Sequence, residues 1–274
     1  MDDAKRRLDR FWDTSREYYE QARAANPEAS PERRRLFARL AGGERVLDLG
    51  AGSCENALWL PAGCRYVGFD VSTAGLVAAA ELGRPGARVR GDGEALPFAD
   101  GRFDAVLSTW VLEHLHDPPA TFAEAARVLR PGGLLLLVGS TWDLPWEVPP
   151  SLDPARRPAV AAVRLVRQLR SLADGRLRFE RVRSPRVLTE GYVPDADAVH
   201  VAQSWTVARW LERAGFEVVE HERLPHRPDP GGPRGLLRRV LRRAPPWRQG
   251  WGNALFVARR GAVVGRPPAD VLPL

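Results

Sequence analysis

The sequence predicts an α/β fold in which a doubly wound, mostly parallel sheet ends with an antiparallel strand. Short apolar runs alternate with helix-length segments from "RVLDLG" (45–50) to "GGLLLLVGS" (132–140), which is typical of parallel strands joined by crossover helices. Two glycines separated by one residue follow the first run, which is typical of the turn where a strand leads into a helix beside a bound ligand. The length and composition agree with one domain of this fold, since a chain of 274 residues of which 44% are hydrophobic can bury one large core.

The elements of the core follow one another in a regular order. Strands are predicted at 45–50, 66–70, 87–92, 103–109 and 132–140, and helices at 54–60, 73–83 and 120–130. Farther along, "SWTVARWLERAG" (204–215) has the pattern of a helix that ends at a glycine. Strands at 216–224 and 253–260 complete the predicted sheet.

Other segments surround this core, and the predicted divisions are 1–40, 41–140, 141–203, 204–264 and 265–274. The first is a cap of two helices, because its helical pattern breaks at Asn26-Pro27 and Ser30-Pro31. The second is the cofactor-binding core. The third contains a basic amphipathic helix and an irregular arginine-rich stretch, which together predict a lid. The fourth completes the sheet and carries a basic helical insertion, and the last is a flexible tail.

Composition predicts a soluble, cytoplasmic protein. Met1 to Glu20 is charged throughout and no apolar run has the length of a membrane span. Cys54 and Cys64 are the only cysteines, which agrees with a reducing compartment and predicts buried thiols without metal ligation. The net charge of +7 comes almost entirely from arginine, with Lys5 as the single lysine. Such usage is typical of a genomic base-composition bias, so the charge is not taken as evidence for nucleic-acid binding.

The loop after the first strand differs from the loop that binds dinucleotides. A third glycine would follow the second by three positions in the dinucleotide pattern, whereas this chain has Glu55 there. The carboxylate would repel a pyrophosphate at the same helix N-terminus. The loop therefore predicts a cofactor without phosphates.

Five sequence blocks carry a resemblance to a known family. In order they are "VLDLGAGS", "YVGFDVS", "VRGDGEALPF", "FDAVLSTWVLEHL" and "RVLRPGGLLLL". Together they resemble the class I S-adenosylmethionine-dependent methyltransferases, most closely the type 11-like branch that acts on small molecules, sugars and lipids. The resemblance is close over Glu44 to Ser140 and loose over Ser204 to Arg259, and it implies a Rossmann-like fold and a transferase. Many relatives have a third glycine where this chain has Cys54.

The resemblance also implies where S-adenosylmethionine would bind. Asp48 would attract the ammonium group directly or through water, Asp70 would take the ribose hydroxyls, and Asp92 with Gly93 would read the adenine. No metal is implied. The complete cofactor set is Asp48, Gly50, Ala51, Gly52, Asp70, Val71, Asp92, Gly93, Glu94, Thr109, Trp110 and Tyr19.

Two histidines are candidates for catalysis. Methyl transfer from a sulfonium needs mainly alignment, with a base only where a hydroxyl must lose its proton. His114 follows the fourth strand, on the side of the sheet where substrates of this fold bind, and His200 lies at the end of the predicted lid. The alternative is that His114 packs or caps a helix and that His200 is structural.

The acceptor is predicted to be a small molecule, a glycosyl compound or a lipid-linked compound that is methylated on oxygen or nitrogen. A stripe of Leu236, Leu237, Val240 and Leu241 is bordered by arginines at 238, 239, 242 and 243. This pattern suits an anionic membrane surface or a lipid-linked, phosphorylated acceptor, and the alternative is a helix packed on the sheet edge. Five tryptophans suggest an apolar pocket mouth: Trp142, Trp146, Trp205, Trp247 and Trp251.

Two alternative functions stay open at this point. The first is methylation of tRNA or another nucleic acid, although no clear interleaving of aromatic and basic residues supports it. The second is a catalytically silent module whose functional surface is the basic helix and lid. The sequence does not decide the oligomeric state.

Overall fold

The computed structural model describes residues 3–25, 29–183, 195–225 and 252–274. Its strands, numbered in chain order, are β1 (Arg45–Leu49), β2 (Arg65–Asp70), β3 (Ala87–Arg90), β4 (Phe103–Thr109), β5 (Leu129–Thr141), β6 (Leu177–Arg181), β7 (Phe216–Pro225), β8 (Gly252–Arg260) and β9 (Ala269–Pro273). Seven of them form one sheet in the order β3-β2-β1-β4-β5-β8-β7. Strands β1 to β5 pair in parallel, and β8 is antiparallel to both of its neighbours. The predicted fold class is confirmed.

The helices lie on both faces of this sheet, and some of them begin at a side-chain cap. They are α1 (Asp3–Thr14), α2 (Arg16–Ala25), α3 (Pro31–Phe37), α4 (Thr73–Glu81), α5 (Pro118–Val128), α6 (Arg157–Asp174) and α7 (Ser204–Ala214). The Ser72 hydroxyl accepts a hydrogen bond from Gly75 N, and the Asp117 carboxylate accepts one from Ala120 N. Both satisfy donors that the first turn of a helix leaves unpaired.

Successive residues of the central strands pack into two different cores. Val46 of β1 belongs to a cluster with Leu36 and Phe37 of α3. Its neighbour Leu47 belongs to a cluster that includes Phe122 and Trp210, from α5 and α7. A parallel sheet that is covered on both faces produces continuous apolar runs of this kind.

Two helical predictions differ from the structure. The segment before β1 has three described helices instead of two, because α1 and α2 separate at Ser15. The helix predicted at 54–60 is only a 3-10 helix over Glu55–Leu58, which follows Cys54 at a left-handed φ of 56°. This conformation is uncommon for a residue other than glycine and lies outside both the β and the right-handed helical regions.

The predicted flexible tail contains a strand. Residues 269–273 form β9, which pairs in parallel with β6 from Leu177↔Ala269 to Arg181↔Pro273. Leu274 N extends the ladder by donating to Arg181 O over 2.8 Å. The pairing satisfies backbone groups of β6, whose Leu177 and Phe179 are buried. The connection predicted as irregular after α6 therefore also begins with a strand.

Other predictions are answered by burial. Cys54 is fully buried, and burial raises its pKa to about 12, whereas Cys64 is half-buried.

The basic helical insertion at 236–243 lies outside the described residues. In the described ranges, no helix combines the length and the apolar character needed to cross a bilayer.

A buried ion pair holds the segment that was predicted to be a lid. Arg164 of α6 is fully buried, and its Nε donates to Glu180 Oε2 of β6 over 2.7 Å. The same guanidinium donates to the carbonyl of Leu144 over 2.8 Å and contacts the carbonyls of Trp142 and Glu147. One side chain thus joins a helix, a strand and the chain that leaves β5.

We expect Arg164→Leu to lower the free energy of unfolding by about 3 to 5 kcal/mol, since it removes the cation bonded to the buried Glu180 carboxylate and leaves only Arg167, whose Nη1 is 3.8 Å away. Urea unfolding followed by tryptophan fluorescence measures the change. Arg170→Leu, which removes an exposed arginine of the same helix, is the matched control and should change stability by less than about 0.5 kcal/mol. The double variant Arg164→Leu/Glu180→Gln should recover part of the loss. Equal losses in the two single variants would show that the ion pair does not stabilise this segment.

Candidate active site

Two adjoining cavities lie at the carboxyl ends of the parallel strands. Cavity A has a volume of about 830 Å³ and cavity B about 1250 Å³, both partly open to solvent. They share the residues Tyr18, Tyr19, Gly50, Gly52, Trp110 and His114. The order in which successive strands are added to the sheet reverses between β1 and β4. Ligands of open α/β sheets bind at such a point.

The glycine loop forms the wall between the cavities. A Cβ on Gly50, whose φ is +79°, would lie 2.3 Å from Val111 Cγ2. Gly52 has a φ of +50°, and a Cβ there would lie 3.2 Å from the Tyr19 ring. Cys54 also has a positive φ, which explains physically why many relatives of the resembled family have glycine there. The loop therefore brings bare backbone to the cavities.

Asp48 lies behind this loop instead of in the cavity lining. It is fully buried and accepts hydrogen bonds from Tyr66 Oη at 2.6 Å and from Asn56 Nδ2 at 3.0 and 3.1 Å. Burial raises its pKa to about 6, although these hydrogen bonds oppose the shift. Its partner Asn56 lines cavity B, as does Thr109, which accepts from the same amide at 2.9 Å. This placement differs from the direct contact with an ammonium group, one of the two arrangements, direct or through water, that the resemblance implied.

Asp70 lies in cavity A and is held by backbone donors. Gly52 N donates to Oδ2 over 2.7 Å, and Ser72 N donates to Oδ1 over 2.8 Å. Burial raises the pKa of Asp70, and these two amides oppose the rise. A carboxylate has about four lone-pair sites. The two bonds therefore leave acceptor capacity for a pair of hydroxyl groups.

A second acidic group lies at the far end of cavity A. Asp92 accepts from Lys5 Nζ at 2.7 Å and from Glu94 N at 3.0 Å, while Lys5 Nζ lies 2.8 Å from Glu94 Oε1. Burial opposes ionisation of Asp92, but Lys5 and the Glu94 amide hold its pKa below the ordinary value. Val71 and Gly93 line the same cavity. The only lysine of the chain thus joins α1 to this end of the site.

The first two helices cover the cleft. Ser72 Oγ donates to Trp12 O over 2.5 Å, and Thr73 N donates to Asp13 Oδ1 over 2.7 Å. Tyr19 of α2 is buried and lines both cavities. Side chains of the segment 1–40 therefore form part of the site.

His114 lies at the junction of the two cavities, beside acidic groups. Its Nδ1 is 3.7 Å from Asp197 Oδ2, which also accepts a hydrogen bond from Trp12 Nε1 at 2.8 Å. The rings of Trp12 and His114 meet edge to face, with their centroids 5.5 Å apart. Burial alone would lower the pKa of His114, but the carboxylates of Asp197, Glu113 and Asp195 raise it above the ordinary value. Nδ1 thus faces Asp197, while 17% of the side chain stays exposed.

The neighbouring acids are fixed by β5. Glu113 Oε2 accepts from Ser140 N at 3.3 Å, and Ser140 Oγ donates to Asp195 Oδ1 over 2.8 Å. Burial raises the pKa of the Glu113 carboxyl. All three residues line cavity B, so this cavity has an acidic wall next to the histidine.

His200 does not belong to the site, contrary to the prediction that it is catalytic. It lines neither cavity, and its Nδ1 lies 3.0 Å from Leu112 O. Burial lowers its pKa to about 4. The backbone amides of Val199 and His200 both donate to Glu113 O over 2.8 Å. His200 is therefore part of the packing that supports the acidic wall.

The predicted tryptophan pocket mouth is not found among the described residues. Trp142 and Trp205 are buried, Trp146 is exposed, and none of the three lines cavity A or cavity B. Trp247 and Trp251 lie outside the described residues. Trp110 and Trp12 are instead the tryptophans of the described cleft.

Most of the predicted cofactor residues meet in the cleft. Cavity A brings together Gly50, Gly52, Asp70, Val71, Asp92, Gly93, Glu94, Trp110 and Tyr19. Ala51 and Thr109 line cavity B. The roles of Lys5, Trp12, Asn56 and Asp197 were not predicted from the sequence. Two signals were present, because Lys5 is the single lysine and Asp197 belongs to the "DADAVH" stretch that also contains His200.

These residues fit S-adenosylmethionine. Asp70 offers the acceptors that ribose hydroxyls require, the glycine loop leaves room beside the cavity wall, and the acidic side of cavity B suits the cationic end of the cofactor. Among the described ranges, no group of side chains has the arrangement of a metal site.

Sequence comparisons cover the core of the chain. Residues 47–137 match the family described as a methyltransferase domain. An uncharacterized methyltransferase of Mycobacterium sp. (strain JLS) is 40% identical over 102 residues, covering 37% of this chain and 40% of that protein. A demethylmenaquinone methyltransferase of Corynebacterium glutamicum (strain R) is 43% identical over 97 residues, covering 35% and 41%. The chain thus spans about two fifths of the length of the curated relatives it matches.

Similar solved structures extend over more of the chain. An S-adenosylmethionine-dependent methyltransferase from Mesorhizobium loti has a TM-score of 0.51 at 22% identity, covering 82% of this chain and 96% of that one. The cyclase SpnF has a TM-score of 0.57 at 20% identity, covering 94% and 96%. At these identities the likeness shows the fold alone, and the cyclase shows that this fold is not tied to one named activity.

Family and fold together imply S-adenosylmethionine as the cofactor. The blocks that carried the resemblance fall within the matched region, and the same region supplies Asp70, the glycine loop and His114 to the cleft. The core of this chain, residues 47–137, therefore matches a methyltransferase domain in sequence, and its fold is the Rossmann-like fold of S-adenosylmethionine-dependent methyltransferases.

Proposed function

We propose that this protein transfers a methyl group from S-adenosylmethionine to a small-molecule acceptor bound in cavity B, with His114 as the general base. The observation that carries the proposal is the position of His114. It borders both cavities, one containing Asp70 and the other an acidic wall, and its Nδ1 faces Asp197. A base at that junction can take a proton from an acceptor while the acceptor approaches a bound cofactor.

Each cofactor residue has a separate task in this proposal. Asp70 accepts hydrogen bonds from the ribose hydroxyls, and Asp92 and Gly93 bind the adenine. Gly50 and Gly52 let the backbone approach the methionine part, while Asp48 keeps Asn56 in place behind it. Tyr19 and Trp110, which line both cavities, exclude water from the reacting atoms.

When bound, S-adenosylmethionine supplies an electrophilic methyl group on a positively charged sulfur. His114 Nε2 would receive the proton of the acceptor oxygen or nitrogen as that atom takes the methyl group. Asp197 stabilises the imidazolium that results. Trp12 fixes Asp197 through its indole N–H, so α1 helps to orient the base.

The chemistry of cavity B supports a polar acceptor group. Arg23, Arg33 and Glu113 line it together with Asp195 and Asp197, so hydroxyl and amino groups would find partners of either charge. The demethylmenaquinone methyltransferase relative adds support for a small molecule. Glycosyl and lipid-linked acceptors remain within the proposal.

The acceptor class is tested with purified protein and methyl-labelled S-adenosylmethionine against four panels: phenols and quinols, glycosides, amines, and bulk tRNA. We expect label in a small-molecule panel and none with His114→Gln, which lacks the base. Transfer to tRNA alone would contradict the proposed acceptor class. Tight cofactor binding with no transfer to any panel would favour the catalytically silent module.

We expect Asp70→Ala to weaken S-adenosylmethionine binding by about 2 to 3 kcal/mol, because hydrogen bonds to a charged group are worth about this much. Isothermal titration calorimetry measures the change. Asp100→Ala is the matched control, since its side chain is 79% exposed and lines neither cavity. Affinities of wild type and Asp70→Ala within a factor of two would remove Asp70 from the binding site. Binding of a nicotinamide dinucleotide in place of S-adenosylmethionine would overturn the cofactor assignment.

We expect the transfer rate to rise with pH through the pKa of His114, because only the neutral imidazole accepts a proton. The nearby carboxylates raise that pKa, so Asp197→Asn should move the acidic limb of the rate profile to lower pH. Titration of isotope-labelled histidine by NMR should show the same downward shift of the His114 pKa. Asp100→Asn should leave both curves in place. A lower rate in Asp197→Asn with an unmoved acidic limb would contradict a general-base role for His114.

A further inference from the structure

Helix α6 has its apolar side chains outside and its polar side chains inside. Five large apolar residues of this helix are between 39% and 50% exposed: Val163, Leu165, Val166, Leu169 and Leu172. Apart from Val160, the buried residues of the same helix are Arg164, Gln168 and Ser171. A helix on the surface of a globular protein normally shows the opposite arrangement.

The orientation of α6 is fixed by its polar face. Arg164 is paired with Glu180 and bonded to carbonyls of the chain after β5. Gln168 Nε2 donates to Asp143 O over 3.0 Å, and Ser171 Oγ accepts from Arg178 Nη1 at 3.1 Å. Turning the apolar face inward would expose these partners and leave Glu180 buried without its cation. Among the described residues, the apolar face is therefore directed outward from the fold.

Exposed arginines surround this apolar face. Arg156 and Arg157 lie at the start of α6, Arg170 lies within it, and Arg176 follows its end, and all four are exposed. The exposed carboxylate nearest the end of the helix, Asp174, is already paired with Arg178. The face is therefore apolar with a cationic border.

This chemistry fits a lipid surface better than a second copy of the chain. A twofold contact would place the same patch opposite itself, and the arginines would then meet arginines. An anionic bilayer instead offers apolar volume for the leucines and phosphates for the guanidinium groups. At 18 residues, α6 would lie along the membrane over about 27 Å.

We propose that α6 is a peripheral docking helix that binds the surface of an anionic lipid bilayer. The apolar face defined above enters the boundary between headgroups and acyl chains, and the four arginines contact lipid phosphates. The proposal goes beyond the methyl-transfer function and does not depend on it, because docking needs neither the cofactor nor the acceptor.

The test is flotation of the full chain with vesicles of phosphatidylcholine and phosphatidylglycerol in equal parts, and with vesicles of phosphatidylcholine alone. We expect wild type to bind the mixed vesicles and to bind the neutral vesicles at least about tenfold more weakly. Val166→Glu/Leu169→Glu should reduce binding to the mixed vesicles at least about tenfold. Both substituted side chains are exposed, so thermal unfolding should match that of wild type.

A matched double variant separates the helix from a general effect of added charge. Val219→Glu/Val263→Glu adds the same two carboxylates at exposed apolar positions outside α6, and it should keep wild-type vesicle binding. Equal losses in the two double variants would overturn the assignment to α6. Equal binding to both kinds of vesicle would overturn the role of anionic lipid.

Sedimentation velocity provides the remaining comparison. We expect the same sedimentation coefficient for wild type and Val166→Glu/Leu169→Glu in the absence of lipid. Absence of vesicle binding, together with a wild-type dimer that this variant dissociates, would show that the apolar face binds a second copy of the chain, and it would overturn the proposal.

Discussion

The geometry of the cleft depends on one buried carboxylate. Asp48 stands at the end of β1 and accepts hydrogen bonds from Tyr66 of β2 and from Asn56 of the 3-10 helix. The same amide of Asn56 donates to Thr109 at the end of β4. Two side chains, Asp48 and Asn56, thus join three neighbouring strands to the 3-10 helix that follows the glycine loop. Because a buried polar group without a partner costs about 1 to 3 kcal/mol, the loop cannot shift independently of the strand ends.

Three aspartates at the ends of three successive strands have different environments. Asp48 is enclosed by protein donors, Asp70 accepts two backbone N–H groups and keeps acceptor capacity toward cavity A, and Asp92 is paired with Lys5. Burial raises the pKa of the first two, whereas Lys5 and a backbone amide hold that of the third low. The position of a carboxylate relative to the cavity wall, more than its residue type, decides whether it positions the loop, contacts a ligand or anchors a helix.

The sequence predicted what depends on local pattern. Apolar runs alternating with helical segments predicted the strands of the main sheet, and the spacing of Asp70 from the glycine loop predicted the part of the cleft that contains Asp70. The sequence could not predict contacts between distant residues. Lys5 contacts Asp92 across 87 positions, and Trp12 contacts Asp197 across 185. The tail was mistaken for a flexible segment because five polar and apolar residues form a strand only when a partner such as β6 is present. His200 failed as a catalytic candidate because burial depends on packing that its neighbours in sequence do not reveal.

The pairing of β6 with β9 makes the folding of β6 depend on residues that come much later in the sequence. Leu177 pairs with Ala269, about ninety residues farther along the chain. Such pairing is slow, because the entropy of a long loop must be lost before the contacts that stabilise the pair can form. Until β9 arrives, one edge of β6 exposes backbone groups that attract other strands. Strand β6 therefore completes its hydrogen bonding only once residues 269–273 are available to pair with it.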